Sequence, residues 1–134
     1  MSSPWIVPVN AVLGGLVVAV GAWLASQSFS VLQAALVLVA ATGFLWWRGR
    51  TVTLIWAWST LLLGIECFVW PIATMLQVRS AGGEPSEEEM GAILSATLMG
   101  VFSAVFWTAF SYGLFKRAKE GAQPAPASRP PRQR

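Results

Sequence analysis

Four long apolar runs alternate with short polar breaks along this 134-residue chain. The first extends from about Trp5 to Ala25, interrupted only by Asn10, and ends at Ser26-Gln27-Ser28. The second covers about Phe29 to Trp47 and closes on Arg48-Gly49-Arg50. The third spans about Val52 to Leu76, and the fourth about Met90 to Phe115. A helix crossing a bilayer needs about 20 mostly apolar residues, and each run approaches or exceeds that length. None alternates with a period of two, as the strands of a membrane barrel do. The pattern predicts an all-α integral membrane protein: four transmembrane helices forming an antiparallel bundle.

Composition agrees. Hydrophobic residues make up 55% of the chain and charged ones 11%, against about 25% charged in a typical soluble domain. The length allows one helical domain, residues 1–119, followed by a tail at 120–134. That tail, rich in Pro and Arg and without large apolar groups, cannot bury a core and is expected to be disordered.

Charge sets the expected orientation. Of nine Lys and Arg residues, Arg48, Arg50, Lys116, Arg117, Lys119, Arg129, Arg132 and Arg134 fall on one side of the spans, and only Arg79 on the other. The positive-inside rule then places both termini in the cytoplasm. The first run has no basic residue before it, so it reads as a retained span rather than a cleaved signal peptide. Seven Arg against two Lys, with abundant Ala and Gly, suggest a GC-rich bacterium and hence its inner membrane.

Against this background the one acidic residue inside a span, Glu66, stands out. A charge at mid-bilayer costs about 2.5–3.5 kcal/mol on insertion scales, and intramembrane carboxylates usually serve a purpose. Pro71, five residues on, cannot donate to the Cys67 carbonyl and predicts a helix distortion. A protonated Glu66 could donate to such a carbonyl or to a hydroxyl on another helix. Ser59, one heptad earlier, extends the same polar strip. The expectation is an intramembrane polar contact made by Glu66 and Ser59 on an internal or subunit-facing side.

Two further patterns are structural. Ser86-Glu87-Glu88-Glu89 reads as a capping box, Ser86 accepting from the Glu89 amide while the Glu89 side chain reaches back. The fourth run carries Ala92, Ala96, Gly100, Ala104 and Thr108 at four-residue spacing, a small-residue stripe that allows close helix packing in lipid. The first has a shorter version in Ala11, Gly15 and Ala19.

No nucleophile–base pair is visible, histidine is absent, and Cys67 alone cannot hold a metal. The chain is therefore expected to be non-catalytic, with no cofactor or metal of its own. Contact with a lipid, pigment or quinone through a neighbouring subunit stays open. The functional expectation is a small accessory or structural subunit of a larger bacterial membrane complex. Its expected partners are other integral membrane subunits and the lipid bilayer, with anionic lipid contacted by the tail and no nucleic acid. The alternative is a small proton-coupled transporter or ion-pathway protein using Glu66 as a homo-oligomer. In size and hydropathy the chain resembles the small multidrug-resistance transporters, although those carry their glutamate in the first helix.

Overall fold

The computed structural model describes residues 5–25, 30–80 and 85–122. The Ser26–Ser28 link and most of the Pro- and Arg-rich tail lie outside them. The described residues form four helices: α1 (Ile6–Ala25), α2 (Val31–Arg48), α3 (Val52–Ser80) and α4 (Glu87–Gly121). All four are long and apolar enough to cross a membrane.

Helix ends follow local chemistry more than hydropathy. Pro8 is accepted in the first turn of α1, where an amide has no helical partner. Helix α2 starts at Ser30, whose hydroxyl accepts from the Gln33 amide at 3.3 Å while Gln33 accepts from the Ser30 amide at 2.8 Å. Helix α4 opens the same way: Ser86 accepts from the Glu89 amide at 3.2 Å, and Glu89 Oε2 accepts from the Ser86 amide at 2.8 Å. That cap, with three carboxylates in the first turn, starts α4 three residues before its apolar run. At the other end α4 continues past Phe115 to Gly121. Its 35 residues extend roughly 52 Å, well beyond a hydrocarbon core of about 30 Å.

The helices pack as an open row. Helix α1 touches α2 on one side and α3 on the other, α2 meets α3 only slightly, and α4 packs on α3 alone. A small core of Ala11, Leu45 and Ile55 joins α1, α2 and α3, with Val7, Phe44 and Trp58 against it. Polar groups reinforce it. The Trp56 indole N–H donates to Asn10 Oδ1 at 2.9 Å, and the Asn10 amide donates to the Ile6 carbonyl at 2.8 Å. At the same end Arg48 lies 5.4 Å from the Trp58 ring centre. Trp58 in turn meets Phe44 and Phe115 edge-on at 5.4 and 5.2 Å. This aromatic group gathers the end of α2, the start of α3 and the end of α4, where the basic residues cluster.

The α3–α4 contact is built on small residues. Ala96, Gly100, Ala104 and Ser111 are the buried positions of α4. Ala92 and Thr108, members of the four-residue stripe, are exposed. The reason is helical geometry. Each four-residue step turns about 40° past a full turn, so Ala92 and Thr108 lie about 80° to either side of Gly100, whereas Ser111 returns to within about 20° of it. The Ser111 hydroxyl donates across the interface to the Ala57 carbonyl at 2.8 Å. Interhelical bonds of this kind in bilayers average about 0.6 kcal/mol. Ser111→Ala is therefore expected to lower stability by about that amount, read as a small drop in the SDS fraction at half-unfolding. An unchanged midpoint would show that the bond is energetically idle.

Candidate functional site

The site lies in the seam between α1 and α3. Two pairs of residues face each other there with the same seven-residue spacing: Gly14 against Ser59, and Gly21 against Glu66. Seven residues return a helix to within about 20° of the same face, so both pairs lie along one line of contact. Glycine on α1 leaves room for a polar side chain on α3. A β-carbon on Gly21 would sit 2.6 Å from Glu66 Oε2 and 2.8 Å from Leu63 Cδ2.

The two polar residues are not equivalent. Ser59 is fully buried, and its hydroxyl donates to the Ile55 carbonyl of its own helix at 2.9 Å. Bonding back to the preceding turn is the usual way a helical serine satisfies itself. Glu66 Oε2, by contrast, is buried with no hydrogen-bond partner among the described residues. It adjoins a cavity of about 240 Å³ lined by Gly21, Leu24, Leu63, Glu66, Cys67 and Trp70. Leu24 and Trp70 on its rim are exposed. Glu66 and Ser59 share a face, but the structure joins them through the two α1 glycines.

Pro71 acts on the opposite side. It lies inside α3 and is buried. Its missing N–H leaves the Cys67 carbonyl without its helical donor, and Gly100 of α4 closes over that point. A β-carbon on Gly100 would lie 2.6 Å from Pro71 Cγ and 2.7 Å from the Cys67 carbonyl oxygen. One turn earlier, Gly64 takes up the Thr108 hydroxyl, which would be 2.9 Å from an added β-carbon. The α3 helix therefore presents a carboxylate to α1 and a proline notch to α4.

Several of these residues carry only faint sequence signals. Gly14 and Gly21 stand a heptad apart, as Ser59 and Glu66 do, but matching the two spacings requires knowing that α1 and α3 are neighbours. Ser111 falls outside the four-residue stripe and is found only by following the 3.6-residue period from Gly100. Asn10 is conspicuous in its run, whereas its partner Trp56 is one of eight tryptophans. Among the described residues, no three His, Cys, Asp or Glu side chains gather in a way that could hold a metal.

The arrangement defines an all-helical, multi-pass membrane protein with a carboxylate at an interhelical seam. Comparison with protein families, curated proteins and solved structures finds no match for the chain. The functional reading therefore rests on the site itself.

Proposed function

We propose that this chain is a small, non-catalytic accessory subunit of a larger membrane protein complex, held to its neighbours through the α1–α3 seam. The supporting observation is the buried, unpartnered Oε2 of Glu66 beside an open cavity. A buried polar atom normally has a partner, and a neighbouring subunit can supply one. The proposed setting is a bacterial inner membrane, with an antiparallel bundle and both termini in the cytoplasm. Basic residues cluster around the Arg48–Trp58–Phe115 end and the tail, in keeping with that orientation.

Purification from native membranes in mild detergent tests this reading. Stoichiometric membrane partners should accompany the wild-type chain through purification. Recovery of the wild type as a pure homodimer would overturn it. The same carboxylate favours a second reading, a proton-coupled transporter. On that reading Glu66→Gln abolishes pH-driven flux while assembly stays intact, and a purely associative defect rules it out.

A further inference from the structure

We propose that the cavity beside Glu66 receives a basic side chain, the guanidinium or ammonium of an Arg or Lys, from a transmembrane helix of another protein. This deepens the accessory-subunit reading and rests on it.

Charge complementarity is the first argument. Oε2 of Glu66 is buried at the α1–α3 seam, and no described residue satisfies it. Intramembrane ionisable groups characteristically pair with one another. The shape of the cavity adds to this. Its remaining walls are Gly21, Leu24, Leu63, Cys67 and Trp70. Such walls suit a long side chain that buries its methylene stem in apolar surroundings and carries charge at its tip. The Trp70 ring also offers a face that attracts cations.

A second copy of this chain cannot supply the cation. All nine of its Lys and Arg residues lie at helix ends or beyond, and it has no histidine. On α3 itself the next cation is Arg79, thirteen residues further on and roughly 20 Å away along the axis. A second copy inserted in either direction meets the same shortage at mid-span. Other sources of positive charge fit worse. Glu66 is the fifteenth of the 29 residues of α3, near the middle of a hydrocarbon layer about 30 Å thick, so a lipid headgroup amine lies about half that thickness away. Hard divalent cations need about six oxygen ligands, and the cavity offers one carboxylate. A charged side chain carried to mid-bilayer on a foreign helix meets all these constraints.

The test uses the full chain reconstituted in lipid bilayers. The probes are two polyleucine transmembrane peptides that differ only in one central residue, arginine or its uncharged analogue citrulline. Association is read by energy transfer between labelled peptide and labelled protein. The wild type should bind the arginine peptide at least tenfold more tightly. Glu66→Gln should erase that preference by removing the charge, and Leu24→Trp should weaken it by crowding the exposed rim of the cavity while keeping the carboxylate. Equal binding of both peptides by the wild type would overturn the proposal and leave Glu66 a neutral packing group. A preference that survives Glu66→Gln would overturn it too, as would Glu66-dependent self-association of the chain without peptide. Partner recovery in detergent separates this from the accessory reading. A native partner retained equally by wild type and Glu66→Gln overturns the ion pair alone. A pure homodimer that still selects the arginine peptide overturns the accessory role and supports the site.

Discussion

Replacing Gly100 with alanine should cost about 2 kcal/mol, because overpacking a close helix contact typically costs about 1–3 kcal/mol. The estimate depends on what the added methyl would meet. Its nearest neighbours are Pro71 Cγ at 2.6 Å, the Cys67 carbonyl oxygen at 2.7 Å and Pro71 Cδ at 2.9 Å. A proline ring and a backbone carbonyl cannot swing aside, so α4 must lift from α3. Helix α4 has no other neighbour among the described residues, and any gap opened there runs along its whole interface. Gly100→Leu should detach α4 altogether. Two glycines of the same helix provide controls. Nothing lies within 4 Å of a β-carbon added at Gly91 or Gly113. Alanine there should be neutral or slightly stabilising, since it is the better helix former. Unfolding by SDS in mixed micelles, followed by circular dichroism, compares the three. The close-packing account fails if Gly100→Ala unfolds at the same SDS fraction as Gly91→Ala.

The elements of this fold are legible in the sequence because hydrophobic length responds to the bilayer, a constraint that needs no knowledge of neighbours. The Ser86–Glu89 cap is legible for a similar reason: its partners lie three residues apart. Ser30–Gln33 has the same form, with glutamine in place of glutamate, and is easily passed over beside an apolar run. The site is legible only in part. Glu66 and Pro71 are conspicuous by chemistry, because a carboxylate and a proline are unusual within an apolar helix. Gly21, which accommodates the carboxylate, has no chemistry of its own. It acquires meaning only when α1 is seen to lie along α3 rather than α4. The order of the row, α2–α1–α3–α4, follows from which small residues meet, and glycine and alanine are too common in membrane helices for sequence to pair them. The four-residue stripe on α4 shows the same limit. Ala92 and Thr108 belong to it by spacing but lie at the exposed edges of the contact, where the Thr108 hydroxyl still reaches Gly64, and Ser111 joins the buried centre.

Glu66→Met should make the isolated chain more stable, by about 2 kcal/mol, in the same SDS titration. A buried polar atom left without a partner costs about 1–3 kcal/mol, and Oε2 of Glu66 is such an atom. Methionine has comparable length, has no hydrogen-bonding need of similar strength, and adapts to irregular space. It can lie over Gly21 and extend into the cavity lined by Leu24, Leu63 and Trp70. Glu66→Gln should gain less, because the carboxamide still places polar atoms against the same apolar walls. The order of stability expected is Met above Gln, and Gln at or above the wild-type Glu. A carboxylate whose removal strengthens the free chain does not hold this fold together, which leaves its polar atom available to a partner. The opposite order, with Glu66→Met the least stable, would mean that the carboxylate supports the α1–α3 seam directly. Glu66 would then be a packing residue of this chain, and partner contact would have to be sought on another face.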